Sequence, residues 1–456
     1  MTAHTDPRRV VPTRWKIHAL LAALACLVAA SPGFAGEGTM FRGNAAHTGV
    51  YVAPAIPAPE LKWRFHSDAH FIASPALAGG LALVGATDGT LYALDLATGK
   101  EKWSFKTGAR IASSAAVSDG LVLFESYDGN FYALDAKTGT RRWSFATGGE
   151  RRFAAAHLHG TLPAAEVMPD PFDFYLSSPA VAKGLVYFGS GDGHVYALDA
   201  RTGALKWKFE TGNVVHASPA VANGMVYIGS WDTYFYALEA ATGAPVWKFK
   251  TGDDPAIHNQ EGIQSSAAVS GGIVYFGCRD SNLYALDART GRKLWSYDNK
   301  GSWVIGSPAV RNGVVYWATA DTGLFHALDA KTGASRFTLD FHHWPMFSSP
   351  VLAGSLAYFG SHDGHLYAVD TAKGARAWSF ETDGAKANAA ALTNPDGTPN
   401  YRAAFLEHFY DALIVGVTRM MQIGAVLSSP AVAPDGTVVF GSMDGNVYAL
   451  KAANAP

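Results

Sequence analysis

Several histidine, carboxylate, amide, arginine and tryptophan residues, single or in short runs, have side chains that could bind a ligand or a metal. They are Arg110, His157, His159, Asp173, His216, the run His258, Asn259, Gln260 and Glu261, Trp303, and the group His342, His343 and Trp344. A deprotonated imidazole is a common metal ligand, and carboxylates complete such sites. Because no compact spacing such as His-Glu-x-x-His occurs, hydrogen-bonded loop histidines are the alternative, and the metal stays unassigned.

Two tryptophans and one cysteine in the same loops have alternative roles. Trp303 and Trp344 have rings that could stack on a planar ligand, or they pack within the protein. Cys278 stands where another copy of its motif has Ser190, which favours a small buried filler over a nucleophile. The sequence has no Gly-x-Ser-x-Gly, phosphate-loop or Cys-x-x-Cys-His motif, so it assigns no catalytic residue.

These clusters must be positioned by short strands, because one four-strand pattern recurs along the chain. The clearest copy begins at Ser178 with Ser-Pro-Ala-Val and continues through Val186, an Asp-Gly pair, a Leu-Asp-x-x-Thr-Gly turn and Trp207. Alternating apolar residues predict strands, and Asp-Gly predicts a tight hairpin between two of them. One copy is therefore a four-stranded antiparallel meander, which buries its faces only by packing against further copies.

The number of copies follows from the large aromatic residues of the predicted outer strands. They are Trp63, Trp103, Trp143, Trp207, Trp247, Trp295, Phe337 and Trp378. The last copy, from Ser428 to Leu450, lacks an outer strand, whereas the segment from Leu61 to Phe65 is an outer strand without a blade. We therefore predict an all-β, eight-bladed propeller that is closed by pairing of its N-terminal and C-terminal strands.

The motif Ala93-x-Asp95-x-x-x-Gly99-x-x-x-Trp103 and its later copies resemble the tryptophan-docking motif of the pyrroloquinoline-quinone-like (PQQ-like) family. One copy has Glu239 for the aspartate and another ends in Phe337. The segment from Met40 to Gly49 also looks like the lead-in to such propellers. The resemblance covers nearly all of residues 40–451 and implies that each indole lies against a neighbouring blade. It does not by itself imply that PQQ is bound.

Blade topology predicts which loops meet. The Asp-Gly hairpins and the loops between blades lie on one side, here called the insertion face, and the Leu-Asp-x-x-Thr-Gly turns lie on the other, here called the turn face. Both long insertions, about residues 149–176 and 383–426, fall on the insertion face, as do all the candidate residues above. We predict the site there, since loops on a rigid scaffold carry function. Helical spacing in the second insertion predicts an amphipathic helix from Tyr401 to Met421, which covers the propeller or acts as a lid.

The N-terminus reads as a cleaved secretory signal over residues 1–35, followed by a lead-in over 36–60 and the propeller over 61–456. Arg8-Arg9 leaves the choice between Sec and twin-arginine export open, and the sequence around Cys26 does not favour a lipid anchor. Removal of residues 1–35 changes the net charge from −2 to −5, which argues against nucleic-acid binding. We expect a monomeric protein in the periplasm or medium, without a transmembrane segment in the mature chain.

Two functions follow from the resemblance. The first is a periplasmic ligand-binding, protein-binding or scaffold module, similar to the propeller lipoprotein of the outer-membrane β-barrel assembly machinery. Such a module would bind a periplasmic or outer-membrane protein through its insertion face. The alternative is a PQQ- and calcium-dependent dehydrogenase of alcohols or sugars. The family's adjacent cysteine pair is absent, and its calcium ligands and base find no match in this sequence.

Overall fold

The computed structural model describes residues 39–158, 162–252, 262–405 and 410–453, which form eight four-stranded antiparallel blades. Blade 1 contains β3 (Ala76–Ala78), β4 (Leu81–Gly85), β5 (Thr90–Asp95) and β6 (Glu101–Lys106); blade 2 contains β7 (Ala116–Ser118), β8 (Leu121–Ser126), β9 (Asn130–Asp135) and β10 (Arg141–Ala146); blade 3 contains β13 (Ala180–Ala182), β14 (Leu185–Gly189), β15 (His194–Asp199) and β16 (Leu205–Glu210); blade 4 contains β17 (Ala220–Ala222), β18 (Met225–Gly229), β19 (Tyr234–Glu239) and β20 (Pro245–Lys250).

The second half of the ring repeats this arrangement. Blade 5 contains β21 (Ala268–Ser270), β22 (Ile273–Gly277), β23 (Asn282–Asp287) and β24 (Lys293–Asp298); blade 6 contains β25 (Ala309–Arg311), β26 (Val314–Ala318), β27 (Leu324–Asp329) and β28 (Ser335–Asp340); blade 7 contains β29 (Val351–Ala353), β30 (Leu356–Gly360), β31 (His365–Asp370) and β32 (Ala375–Glu381); blade 8 contains β33 (Ala431–Val432), β34 (Val438–Gly441), β35 (Asn446–Ala452) and the N-terminal strand β2 (Pro59–His66). The prediction of eight blades is confirmed.

Strand exchange between the ends of the chain closes the ring. β2 pairs antiparallel with β35, so that Trp63 lies opposite Ala449 and His66 lies opposite Asn446. The outer strand of blade 8 therefore comes from the start of the propeller, as the sequence predicts. Closure gives blade 8 the same four strands as the other blades.

Each outer-strand aromatic lies against a glycine of the next blade. The Trp207 indole contacts Gly243 so closely that a Cβ there would lie 2.6 Å from the ring, and its Nε1 donates to the Ala240 carbonyl at 3.0 Å. The same ring-to-glycine contact joins Trp63 to Gly99, Trp103 to Gly139, Trp143 to Gly203, Trp247 to Gly291, Trp295 to Gly333 and Phe337 to Gly374. Trp378 differs, because its Nε1 donates to Ile56 in the lead-in segment. Large aromatic area is thus buried at every one of these blade interfaces.

A closed ring of serines surrounds the central axis. The backbone N–H of each serine donates to the hydroxyl oxygen of the serine in the next blade, at 2.8 to 3.0 Å. The ring runs in order through Ser74, Ser114, Ser178, Ser218, Ser266, Ser307, Ser349 and Ser429 and returns to Ser74. This register fixes eight innermost strands at one height, because every blade contributes one donor and one acceptor.

The lead-in segment crosses the turn-face end of the axis. A 3₁₀ turn at Phe41–Gly43 precedes β1 (Val50–Tyr51), which pairs parallel with β29 and gives blade 7 a fifth strand. Backbone carbonyls of the segment also accept from innermost strands of blades 2, 4, 5, 6 and 7. Buried Arg42 donates to the carbonyls of Pro308 and Pro350 at 2.5 and 2.6 Å.

The two insertions carry the remaining elements. The first contains a short hairpin of β11 (Ala154–Ala155) and β12 (Met168–Pro169), and the second contains α1 (Asp383–Leu392), α2 (Tyr401–Ala404) and α3 (Tyr410–Met421). The predicted single helix over 401–421 is thus two helices. The backbone is extended at Phe405, with φ −104° and ψ 99°, so α2 ends there, and the Phe405 ring packs on Gly416 of α3. Residues 406–409 of that predicted helix lie outside the described residues.

No helix among the described residues has both the length and the apolar composition needed to span a bilayer.

Candidate functional site

The insertion-face end of the axis is filled by the protein's own side chains. The residue two positions before each ring serine faces this end, and these residues are Ile72, Ala112, Leu176, His216, Gln264, Ile305, Phe347 and Leu427. The first insertion adds Phe172, Phe174 and Tyr175 above them, and α3 adds Val417 and Met421. The cavity left between this layer and Phe41 of the lead-in has a volume of about 40 Å³.

A buried ionic cluster lies beside this apolar plug. His216 Nδ1 lies 2.8 and 2.9 Å from the two carboxylate oxygens of Asp173, and its Nε2 lies 3.6 Å from Glu150. All three side chains are fully buried. Burial lowers the pKa of His216, but Asp173 and Glu150 outweigh it and raise the pKa to about 9. The imidazolium therefore holds the first insertion to the loop between blades 3 and 4.

Glu150 connects this cluster to the hairpin of blade 3 and to a second buried carboxyl. Its carboxylate accepts from the Ser190 hydroxyl at 2.5 Å and from the Gly191 backbone N–H at 2.7 Å. Glu125 is fully buried, and burial together with Glu150 and Asp192 raises its pKa well above the ordinary value. Burial and the neighbouring carboxylates therefore favour the protonated form of Glu125.

A tyrosine and an arginine complete the edge of the cluster. The Arg110 guanidinium lies 3.8 Å above the Tyr127 ring, and that ring meets His216 edge-on. Burial raises the pKa of the Tyr127 hydroxyl, so it stays protonated. Arg110 thus lies at the outer end of a series of contacts that runs through Tyr127 and His216 to Asp173.

A second buried cation fastens the first insertion to blades 4 to 6. The Arg279 guanidinium lies 4.4 Å from the rings of both Trp231 and Trp303. It donates to Asp170 at 2.5 Å and to Gln264 Oε1 at 2.7 and 3.1 Å. Two aromatic faces, an ion pair and amide hydrogen bonds compensate for removing this charge from water.

The structure brings together some of the candidate residues predicted from the sequence and separates others. Asp173 and His216 form the ion pair, Arg110 lies at the cluster edge, and Trp303 stacks on Arg279. Trp344 is buried and donates to the Gly397 carbonyl of the second insertion. In contrast, His157, His342 and His343 are exposed and lie outside the cluster. His159, His258, Asn259, Gln260 and Glu261 lie outside the described residues.

A metal site and a Cys278 nucleophile are the less favoured alternatives of the sequence analysis, and the geometry adds little to either. Across the described ranges, no three His, Cys, Asp or Glu side chains converge as a metal site would require. Cys278 is fully buried with its thiol 3.4 Å from the Gly262 carbonyl, and burial raises the pKa of that thiol well above its ordinary value. A neutral, enclosed thiol is a poor nucleophile.

The sequence analysis missed Glu125, Tyr127, Trp231 and Arg279, although the repeat contains the signal. Four of the eight blades read Gly-Ser-x-Asp at the hairpin between the second and third strands, and blade 2 has Glu125 in place of that glycine. The variable position before the aspartate is occupied by Tyr127 in blade 2, Trp231 in blade 4 and Arg279 in blade 5. Aligning the repeats position by position would therefore have singled out these side chains.

An open polar groove also lies on the insertion face, away from the axis. It has a volume of about 710 Å³ between α1 and the junction of blades 8 and 1. Its lining includes Arg64, His66, His70, Asp383 and Asp444. Arg64 pairs with Asp383 across the groove, which joins β2 to α1.

Comparison with known proteins places the repeat in a family. A family model described as outer membrane protein assembly factor BamB, named PQQ_2, matches residues 55–170, 173–302 and 279–455. The chain belongs to this family. No curated protein sequence matches this PQQ_2 propeller.

Solved structures similar to this PQQ_2 propeller include BamB, alcohol dehydrogenases and a designed protein. BamB from Moraxella catarrhalis is 17% identical with a TM-score of 0.61, covering 88% of this chain and 99% of that chain. Quinohemoprotein alcohol dehydrogenase from Comamonas testosteroni is 15% identical with a TM-score of 0.67, covering 94% and 82%. The computationally designed Ika8 protein is 17% identical with a TM-score of 0.60, covering 84% and 96%. At these identities the likeness shows the fold alone.

The described residues of the PQQ_2 propeller do not fit a quinone cofactor on the axis. Pockets that hold ligands of that size have volumes of roughly 300–1,000 Å³, whereas the axial cavity has about 40 Å³. Phe172, Phe174 and Phe347 occupy the space above the serine ring. No reaction step through PQQ is therefore derived for this chain.

Proposed function

We propose that the protein is an exported periplasmic scaffold that binds a protein partner of outer-membrane assembly through its insertion face. Membership of the PQQ_2 family supports a role of this kind, since the family is described as an outer membrane assembly factor. The observation that carries the proposal is the plugged axis, because it turns the mouth of the propeller into a continuous surface. A continuous surface suits a protein partner better than a small substrate.

The docking surface is formed by the two insertions together. Tyr410 at the start of α3 donates through its hydroxyl to the Pro169 carbonyl at 2.6 Å, and its backbone N–H donates to Leu162. Leu162, Val167 and Val415 are exposed by 45%, 70% and 53% on these insertions. Exposed apolar side chains on a braced surface are typical of protein contacts.

Site-specific photocrosslinking in cells tests this surface. A photoreactive amino acid at Val167 or Val415 should crosslink to a subunit of the outer-membrane assembly machinery, identified by mass spectrometry. The same group at Val246, exposed by 54% on the outer strand of blade 4, is the matched control. Equal crosslinks from all three positions, or none from the insertions, would refute the proposal.

A cofactor-binding experiment separates the scaffold from the dehydrogenase alternative. If side chains fill the axis as described, purified protein mixed with PQQ and calcium should retain no quinone absorbance after gel filtration. Stoichiometric retention, together with dye reduction by simple alcohols or sugars, would establish the enzyme and overturn the scaffold.

A further inference from the structure

Blade 6 departs from the repeat at two positions that meet in space. In blade 6 the last residue of the innermost strand is Arg311, whereas it is Ala or Ser in the other blades among blades 1 to 7. The outer-strand aromatic is Phe337, whereas every other outer strand has Trp. Both residues line one cleft on the turn face, between blades 6 and 7, with a volume of about 470 Å³.

The missing indole explains the space in this cleft. In blades 3, 4 and 5 a tyrosine hydroxyl and an indole N–H both donate to one carbonyl of the next blade, as Tyr275 and Trp295 do to Ala330. In blade 6 the smaller Phe337 ring covers Gly374 but has no N–H to donate. The half of the site that an indole would fill is open, and Tyr316 and Thr371 line it.

Arg311 is a cation without a carboxylate partner in this cleft. The two other cations there are neutralised, because Arg336 pairs with Asp329 at 3.0 Å and Lys373 pairs with Asp370 at 3.6 Å. Arg311 is half-buried, and its one hydrogen bond among the described residues reaches the Thr371 hydroxyl at 3.5 Å. Burial lowers the pKa of Arg311.

We propose that this cleft binds an aromatic carboxylate. The carboxylate pairs with the guanidinium of Arg311, which can donate two parallel hydrogen bonds to it. The flat ring of the ligand lies against Phe337 and Tyr316, in the space that the indole occupies elsewhere in the propeller. The amide of Asn312, which also lines the cleft, supplies a further polar contact at the rim.

Titration calorimetry with indole-3-acetate as the probe tests the proposal. The full mature protein should bind one equivalent, whereas acetate, which lacks the ring, and indole, which lacks the carboxylate, should each bind at least tenfold more weakly. Arg311→Ala restores the small residue of the other blades and should weaken binding at least tenfold. Phe337→Trp refills the cleft and should abolish binding while raising the melting temperature.

A matched control comes from blade 5. Trp295→Phe creates the same ring truncation where the innermost strand ends in Ser270, so it should add no second binding site. Failure of the native protein to bind the probe would overturn the proposal. Binding that survives both Arg311→Ala and Phe337→Trp would also overturn it, since the site would then lie elsewhere.

Discussion

His216 is the buried cation between two carboxylates of the first insertion on the insertion face. It occupies a position where the other blades have apolar, small or amide side chains, and it is enclosed by Asp173 and Glu150. Its pKa of about 9 lies above the value of about 6.5 expected in the unfolded chain. The ion pair therefore stabilises the fold fully below pH 6.5, and the stabilisation is lost as the pH rises through 9.

The titration of His216 can be followed directly by NMR of its imidazole carbons. We expect a midpoint near pH 9 in the native protein and a much lower midpoint in Asp173→Asn, because burial then acts without the main anion. His157→Gln, which removes an exposed histidine, should leave the midpoint unchanged. A native midpoint at or below 6.5 would contradict the buried ion pair.

Glu125 makes an opposite and separable prediction. Because its pKa is raised in the folded state, keeping it protonated costs stability at every pH above its unfolded value of about 4.5. Glu125→Gln removes the ionisable group and with it that cost, so it should raise the free energy of unfolding at pH 8. Urea denaturation measures the change, and Glu101→Gln on the exposed outer strand of blade 1 should have almost no effect.

Of the residues in the buried clusters, those predicted from the sequence lie in the loops between blades. His216 and Asp173 stand out there, but their pairing joins two loops that are 43 residues apart. Glu125 ends a strand, where a lone acid in an apolar run is easily read as exposed. The distance between its carboxyl and Glu150 depends on the path of the whole first insertion, which no local spacing encodes.

At the scale of elements, buried side-chain contacts join the first insertion to the blades. Arg279 joins the first insertion to blade 5 through Asp170, and the two flanking indoles come from the hairpin of blade 4 and the loop before blade 6. The insertions are therefore parts of one packed surface. Rigid loops of this kind favour a partner that binds without large rearrangement.

Replacing Arg279 with an uncharged residue should weaken the attachment of the first insertion to blade 5. Arg279→Met leaves Asp170 buried and unpaired, so the free energy of unfolding should fall by about 3–5 kcal/mol in chemical denaturation. The double variant Arg279→Met, Asp170→Asn should recover part of the loss. Arg289→Met, at an exposed turn of the same blade, should change stability by less than about 0.5 kcal/mol.

Element boundaries followed from sequence wherever the repeat applied and not where it stopped. The turn residues at Asp192 and Gly193, for example, specify a hairpin that forms as predicted. The second insertion has no repeat to align with, and helical spacing across Phe405 predicted one helix although the backbone at Phe405 is extended and α2 ends before it. The contact of the Phe405 ring with Gly416 of α3 is a tertiary contact that local spacing does not encode.

At the scale of the whole molecule, one blade differs from the other seven. Blade 8 is made from two ends of the chain, so only hydrogen bonds and packing hold β2 in place. Outer strands in the other blades follow their neighbours without a break. The ring is therefore weakest at the blade that closes it.

Equivalent substitutions in two blades test this asymmetry. Trp63→Ala and Trp247→Ala each remove an outer-strand indole, and each should cost about 3–5 kcal/mol. Trp63→Ala should in addition free β2 and expose the edge of β35, which promotes pairing between molecules. Light scattering during gel filtration should detect dimers or larger species for Trp63→Ala alone, and a monomer for both variants would argue against it.

The closing strand also sets an order of events during synthesis. His66 and its partner Asn446 are separated by 380 residues, so ribosomes working at about 5–20 residues per second produce them roughly 20–80 seconds apart. Throughout that interval β2 has no strand to pair with, and the blades at the two ends of the unclosed ring each have an uncovered face. A nascent chain of this design depends on protection from premature association until its final strand arrives.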